Sequence, residues 1–186
     1  MEYKSLKNRF LLAMPSMRSF GDYFSDTITY VCRHNREGAL GLVVNRPLSM
    51  TVGELLGQLE LPCSIDPSTH LIEGGPVRGD CAFILHTNDV ECGHTVRVGN
   101  ALALTTEMEM LEAIGCGEGP RQYLIALGYA GWGEGQLERE MEANTWLTCP
   151  SSKTVIFDIP FEDRVQSAAR LLGIDFSLMS GHSGNA

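Results

Sequence analysis

Polar side chains that could bind a ligand follow several strand-like segments of this chain. The residues that come directly after such segments are His34, Asn35, Asn45, Arg46 and His86. Strand ends and the loops that leave them commonly display binding residues. We therefore treat this group as the first part of a candidate site.

Glycine-rich turns form the second part of the candidate site. One turn is Gly74-Gly75, and the other is a series of alternate glycines that leads into an acidic segment. Backbone N–H groups in such turns can bind an anion, and a helix N-terminus beside them adds a favourable dipole. The polar and aromatic residues around the second turn are Trp132, Gln136 and Glu138. We hypothesise that Arg46, these turns and the helix terminus at Gln136 bind a small anionic or polar ligand.

A structural interpretation of the same residues competes with the ligand hypothesis. Asn35 suits a hairpin turn, Asn144 suits the end of a helix, and Gly-Gly-Pro forms a turn by itself. Arg46 beside an acidic residue is typical of a structural ion pair. Both interpretations remain open on the sequence alone.

Catalytic chemistry has weaker support, and no residue set specifies a reaction. An enzyme would use His34, Arg46 and Glu138, while Cys32, two residues from His34 on a strand, could act as a thiolate only with an activating base. No pair of residues has recognised metal-ligand spacing such as H-E-x-x-H. We expect no metal site and no cofactor.

The charge balance disfavours direct binding to nucleic acid. The formal net charge is −9 and the pI is about 5.0, whereas duplex DNA binders need a basic surface that neutralises phosphates. The predicted helix Val52–Leu59 contains neither lysine nor arginine. An indirect regulatory role, through a protein partner or a ligand, stays open.

Cysteine usage and hydropathy indicate a cytoplasmic protein. The six cysteines contain no C-x-x-C pair, the N-terminus has no cleavage site that would mark a signal peptide, and the apolar runs are too short to cross a bilayer. Reduced thiols and no membrane association are expected.

The segment Leu127–Leu147 organises the predicted fold. Tyr123–Trp132 is predicted as a buried strand, a glycine-rich turn follows it, and Gln136–Ala143 is predicted as a short helix. Thr27–Cys32 and Ala39–Asn45 are predicted as a hairpin that Pro47 ends.

Two capping boxes and a short apolar run predict further elements. Thr51 with Glu54, and Thr106 with Glu109, each match the pattern in which a hydroxyl and a carboxylate satisfy the first N–H groups of a helix. Thr154–Asp158 is predicted as a strand, and a last helix is predicted to begin at Pro160. This order of hairpins and short helices favours an α+β fold with a mixed sheet in one domain, residues 1–186. Residues 177–186 are expected to form a loose tail.

Four motifs of the chain are distinctive: FLLAMPSM at Phe10, EGALGLVVNRP ending at Pro47, EGGPV at Glu73, and LGYAGWGEGQLEREMEANTWL at Leu127. With these motifs the chain resembles the AlgH family of bacterial proteins, also called YqgE-like. The resemblance covers about residues 10–173. Small departures are Arg33, where the family often has an acid, and Cys81, where glycine is common.

The resemblance implies a compact α+β domain with a mixed, bifurcated, barrel-like sheet and short helices packed around it. It implies no cofactor and supplies no catalytic residues. Family members are described as transcriptional regulators because of effects on alginate production. We therefore expect a cytoplasmic binding or regulatory module that acts indirectly rather than by direct DNA binding. The alternative is an enzyme of unknown reaction on a small anionic substrate, and the oligomeric state stays open.

Overall fold

A computed structural model describes residues 4–13 and 22–174 of the 186-residue chain. The strands in this part are β1 (Arg9–Ala13), β2 (Ile28–Asn35), β3 (Gly38–Val43), β4 (Pro47–Thr51), β5 (His70–Glu73), β6 (Val77–Thr87), β7 (Val96–Val98), β8 (Leu102–Thr105), β9 (Tyr123–Trp132) and β10 (Trp146–Pro150). The α-helices are α1 (Val52–Gln58), α2 (Met108–Gly115), α3 (Gln136–Glu142), α4 (Lys153–Phe157) and α5 (Arg164–Arg170). The predicted tail, residues 177–186, lies outside the described residues.

The chain divides into two compact units. The described residues of Met1–Asn45 and Gly131–Ala186 belong to unit 1, and Arg46–Ala130 form unit 2. Strand β9 begins in unit 2, and its last two residues belong to unit 1. The assignment of the whole chain to one domain stays a prediction.

Unit 1 contains an antiparallel sheet in the order β10-β1-β2-β3. Phe10 lies in register with Tyr30 on one side and with Cys149 on the other, and all three are fully buried or nearly so. The predicted hairpin is confirmed as β2 and β3, which pair from Thr29↔Val43 to Asn35↔Gly38. Because Gly38 has φ of +132° and a Cβ there would lie 2.2 Å from the Trp132 carbonyl oxygen, only glycine fits this turn.

A buried arginine, Arg164, anchors the C-terminal helices of unit 1. Arg164 opens α5 after a 3₁₀ turn at Phe161–Asp163, close to where a helix was predicted to begin. Its guanidinium donates to the carbonyl oxygens of Ile159 and Val44 and lies 4.1 Å from the centroid of the Phe161 ring. Burial lowers its pKa to about 10, so the group stays charged at neutral pH.

Unit 2 contains a mixed sheet that branches at β9. Strand β9 pairs in parallel with β5 and antiparallel with β6. Beyond β5 lies β4, and beyond β6 lie β8 and then β7, all antiparallel. The predicted α+β class with a mixed, bifurcated sheet is confirmed. At the start of the β5–β6 turn, a Cβ on Gly75 would lie 2.0 Å from the Tyr129 carbonyl carbon, so two backbones approach closely there.

Helix α1 begins with the capping box that the sequence predicts. The Thr51 hydroxyl accepts the Glu54 backbone N–H at 3.3 Å, and the Thr51 N–H donates to the Glu54 carboxylate at 2.8 Å. Val52 and Leu56 are buried in an apolar cluster with Leu111 and other residues of unit 2. Since the helix has only seven residues, this docking and the cap together hold it in place.

The second predicted capping box is wrong. Helix α2 begins at Met108, and its N-cap residue is Glu107, which makes no side-chain capping bond. Thr106 therefore precedes the cap position by one residue, and its side chain is exposed. The motif alone does not fix where a helix begins.

Two further segments differ from the prediction. Thr154–Asp158 is not a strand, because Lys153–Phe157 forms α4, whose N-cap Ser152 accepts the Val155 N–H at 3.5 Å. A short apolar run does not distinguish a buried strand from one helical turn. The predicted strand Ala39–Asn45 ends at Val43, before Pro47, and Pro47 opens the next strand, β4, at a position where its missing N–H is tolerated.

His86 lies in a fully buried hydrogen-bond network of unit 2. Its Nδ1 is 2.7 Å from the Thr87 carbonyl oxygen, and its Nε2 is 2.8 Å from the Thr105 hydroxyl. Since a carbonyl oxygen only accepts, Nδ1 carries the proton, and Nε2 of the neutral ring accepts from Thr105. Desolvation lowers the pKa of His86, more strongly than the Thr87 carbonyl and the charges of Asp89 and Glu91 raise it.

The capping box predicts a measurable contribution of Thr51 to stability. The substitution Thr51→Ala is expected to lower the free energy of unfolding by about 1 kcal/mol, because it leaves an N–H of the first turn without its partner. Urea denaturation followed by circular dichroism measures the change. The matched control is Thr106→Ala, at the motif that forms no cap, with an expected change below about 0.5 kcal/mol. Equal losses in both variants would contradict the assignment.

The buried neutral His86 predicts a loss of stability in acid. Its folded-state pKa lies below the ordinary value of 6.5, so the unfolded chain binds a proton first as the pH falls. The stabilisation is complete above 6.5 and is lost as the pH falls from 6.5 toward the folded-state pKa. For one group the slope cannot exceed about 1.4 kcal/mol per pH unit.

Urea denaturation between about pH 7.5 and pH 5 measures this dependence. His86→Gln is expected to be less stable than the wild type but to show a flatter pH profile. His70→Gln, at an exposed histidine of the same unit, is the control and should keep the wild-type slope. A His86→Gln profile as steep as the wild-type profile would contradict the prediction.

Candidate functional site

A cavity of about 440 Å³ opens beside α3 in unit 1. We refer to it as the α3 cavity. Its lining residues are Phe24, Gly131, Trp132, Gln136, Arg139, Glu140, Ala143, Thr145 and Trp146. Its volume falls within the range of about 300–1,000 Å³ that is typical of small-molecule sites.

A single carboxylate organises the polar groups of this cavity. Glu140 Oε2 accepts the indole N–H of Trp132 at 2.8 Å and that of Trp146 at 2.7 Å. Glu140 Oε1 accepts a third bond, from the side-chain amide of Gln136 at 2.9 Å. Three neutral donors therefore hold one ionisable group in a fixed orientation.

Local backbone features place these side chains together. Gly135, in the left-handed region at φ of 63°, precedes α3, and Gln136 accepts the Gly133 N–H at 3.0 Å. Gln136 and Glu140 then share one face of the helix, because residues four apart are neighbours. Asn144, also left-handed at φ of 55°, ends the helix and turns the chain into β10, which begins with Trp146.

Aromatic rings form the apolar wall of the α3 cavity. The Trp132 and Trp146 rings meet edge to face with centroids 5.9 Å apart, and Phe24 meets Trp146 in the same way at 5.3 Å. Trp132 is 7% exposed and Trp146 is 4% exposed, so both belong to the core as well as to the cavity wall. The rings are therefore fixed by packing before any ligand binds.

His34 and Glu138, two residues of the predicted site, are in direct contact. His34 Nε2 lies 3.0 Å from Glu138 Oε1, and its Nδ1 accepts the backbone N–H of Leu6 at 2.9 Å. Because Nδ1 accepts, Nε2 carries the proton that it donates to Glu138. Both ring nitrogens are engaged within unit 1, which leaves neither to accept a proton from a substrate.

The predicted asparagines of unit 1 make structural contacts. Asn45 accepts the Ile28 N–H at 3.0 Å and donates to the Asp26 carbonyl oxygen at 2.9 Å. Asn35 accepts the Glu37 N–H at 3.0 Å within the hairpin turn. The Asn35 bond agrees with the hairpin role that the structural interpretation gave this residue, whereas no structural role was predicted for Asn45.

The remaining predicted residues lie in unit 2. Arg46 faces Glu73 at 3.9 Å, in a partly exposed ion pair. The Gly74 N–H donates to the Leu127 carbonyl oxygen at 2.9 Å, and Gly75 lies where the backbone passes close to Tyr129. His86 is buried in the network described above. The predicted site residues are thus divided between the two units, and Gly74 does not offer its N–H to an anion.

The two buried cysteines, Cys32 and Cys149, show no sign of activation. All six are free, and burial raises the pKa of Cys32 well above its ordinary value and that of Cys149 to about 11. A thiol whose pKa is raised is a poor nucleophile at neutral pH. Within residues 4–13 and 22–174, no group of three or more His, Cys, Asp or Glu side chains is arranged to hold a metal ion.

Sequence reasoning found Trp132 and Gln136 but missed most of the α3 cavity. The lining residues that the predicted site did not include are Phe24, Arg139, Glu140, Ala143, Thr145 and Trp146. A usable signal was present, since Glu140 lies four residues after Gln136 and six before Trp146. An acid at helical spacing from an amide, with a tryptophan on each side along the chain, could have indicated the shared carboxylate.

No helix within the described residues has both the length and the apolar character that a membrane span requires.

Comparison with known proteins gives a consistent result. A family model described as AlgH-like matches residues 10–177. A UPF0301 protein of Nitrosospira multiformis is 46% identical, with 100% of both chains covered. A UPF0301 protein of Methylococcus capsulatus is 44% identical, with 99% of this chain and 98% of that protein covered.

Two solved structures are similar to this fold. The solution structure of the AlgH protein from Pseudomonas aeruginosa has a TM-score of 0.80 and 42% identity, and 100% of both chains is covered. A crystal structure of a Corynebacterium diphtheriae protein has a TM-score of 0.76 at 21% identity, covering 97% of this chain and 94% of that one, and so supports the fold alone. Together with the family match, these similarities establish that the chain belongs to the AlgH-like family.

Proposed function

We propose that this protein is a cytoplasmic binding module that holds a small polar molecule in the α3 cavity and acts through that ligand or a protein partner. The observation that carries the proposal is the Glu140 carboxylate, which both indole N–H groups and the Gln136 amide fix at the wall of an open cavity. Binding sites combine an apolar wall with a few oriented polar groups in this way.

Preorganisation supports binding at this place. The two indoles are nearly buried, and their N–H groups already have an acceptor, so a ligand need not order them. Affinity is lost when side chains must be immobilised on binding, at about 0.5–1.5 kcal/mol each. A wall that is rigid beforehand avoids this cost.

The contacts of His34 favour a binding role over an enzymatic one. His34 is the only predicted catalytic histidine with a carboxylate partner in the described part of the chain, and its second nitrogen is occupied by the Leu6 N–H. Cys32 is buried, with a raised pKa. Neither group offers the free base or thiolate that acid–base or nucleophilic catalysis requires.

Blocking the α3 cavity is expected to abolish ligand binding. The probe is a panel of small cationic, neutral and anionic organic molecules, followed by NMR of the two indole N–H resonances, one from each of the two tryptophans. At least one panel member should shift both resonances in a saturable way. Ala143→Leu should remove that shift, because Ala143 is an exposed residue that lines the cavity.

The control adds the same side chain next to the cavity. Glu142→Leu changes the preceding exposed residue, which does not line the cavity, and should leave binding unchanged. If no member of the panel shifts either indole resonance at millimolar concentration, the proposed function is wrong. Equal binding by Ala143→Leu and the wild type would place the ligand elsewhere.

The net negative charge predicts that any regulatory effect does not involve direct binding to DNA. With a net charge of −9 and three glutamates in α3 against one arginine, the protein is expected to repel the phosphate backbone. A mobility-shift assay with duplex DNA at low salt should show no retardation at micromolar protein. A shifted band that disappears steeply as salt is raised would contradict this expectation.

A further inference from the structure

We infer that the α3 cavity selects an organic cation, such as a molecule with a quaternary ammonium group. This inference rests on the proposed binding function and specifies the charge of the ligand. Three features of the cavity carry it: its aromatic wall, the carboxylate in that wall, and four N–H groups beside it that already donate within unit 1.

The aromatic wall suits a cation. Phe24, Trp132 and Trp146 line one cavity and pack against each other through edge-to-face contacts of 5.3 Å and 5.9 Å. The face of an aromatic ring carries negative electrostatic potential, and tryptophan attracts cations most strongly. Several rings around one space are the arrangement that recognises methylated ammonium groups.

Glu140 adds a formal negative charge to this wall. Its carboxylate accepts three hydrogen bonds, all from neutral groups, so none of these donors supplies a compensating charge. Among the described ion pairs, none includes Glu140. Its charge is therefore held in place without compensation from a cationic side chain in the described part of the protein, and a cationic ligand would supply that compensation.

Arg139 is the one cationic residue of the lining. Arg139 is exposed, so solvent and salt screen its charge. Glu140 is half-buried, so its charge is screened less. Helix α3 also carries Glu138 and Glu142, which leaves a net negative charge beside the cavity. The electrostatic balance favours a cation over an anion.

Two backbone donors of the glycine-rich turn are already used. The Gly133 N–H donates to the Gln136 side chain, and the Gln136 N–H donates to the Gly133 carbonyl oxygen. Both indole N–H groups donate to Glu140. An anion that bound through any of these four N–H groups would have to displace the acceptor that the group already has.

The test compares two probes of equal shape and different charge. Choline carries a quaternary ammonium, and 3,3-dimethylbutan-1-ol replaces the nitrogen with carbon. Tryptophan emission reports on binding, because both tryptophans of the chain line the cavity. At constant ionic strength, maintained with sodium chloride, choline should change the emission in a saturable way, with a Kd at least about tenfold lower than that of the neutral analogue.

Matched variants test whether the Glu140 carboxylate is responsible for choline binding. Glu140→Gln should weaken choline binding about tenfold, while Glu142→Gln, which removes the same charge from an exposed position outside the cavity, should change it less than about twofold. Circular dichroism verifies that both variants are folded. If Glu140→Gln does not fold, Arg139→Gln supplies the second arm, since loss of the rim cation should tighten choline binding, most clearly at low ionic strength.

The outcomes separate this inference from the proposed function. Equal affinity for the two probes, or choline binding in Arg139→Gln that is no tighter than in the wild type, would overturn the choice of a cation while leaving the cavity as a binding site. Binding of anionic or neutral panel members alone would have the same meaning. If no probe of any charge binds, the proposed function and this inference fail together.

Discussion

The sharing of one carboxylate by two indoles is the interaction on which unit 1 depends most. Glu140 connects the end of β9, through Trp132, with the start of β10, through Trp146, and α3 lies between them in the sequence. Both tryptophans are nearly buried, so loss of the acceptor of either indole N–H is expected to cost about 1–3 kcal/mol. The same carboxylate that stabilises the fold therefore also sets the chemistry of the cavity wall.

The periodic parts of the fold were predictable from the sequence. The β2–β3 hairpin, strand β9 and helix α1 each combine a strong hydrophobic pattern with a local turn or cap signal, and all three are present. Lys153–Phe157 was not predictable in the same way, because its β-branched and aromatic residues favour a strand. The cap at Ser152 and the burial of two adjacent residues, Val155 and Ile156, settle it as a helix.

The site was predictable only in part, for a physical reason. Sequence patterns rank residues by type, and they therefore singled out His34, Arg46 and His86. Each of these side chains contacts a residue of its own unit. Glu140 is one of several glutamates in an acidic segment, and its role depends on which two donors the fold brings to it. Such a role is a property of the packed helix and strand, and composition and spacing carry little information about it.

The close backbone contacts at Gly38 and Gly75 limit how this chain can evolve. A methyl group at Gly38 would lie 2.2 Å from the Trp132 carbonyl oxygen, and one at Gly75 would lie 2.0 Å from the Tyr129 carbonyl carbon. In both places the obstacle is main chain rather than a side chain that could be shortened. A compensating mutation at the neighbouring residue would leave the obstruction in place. Substitution of either glycine is therefore not expected to be neutral unless an insertion or deletion first moves the opposing segment.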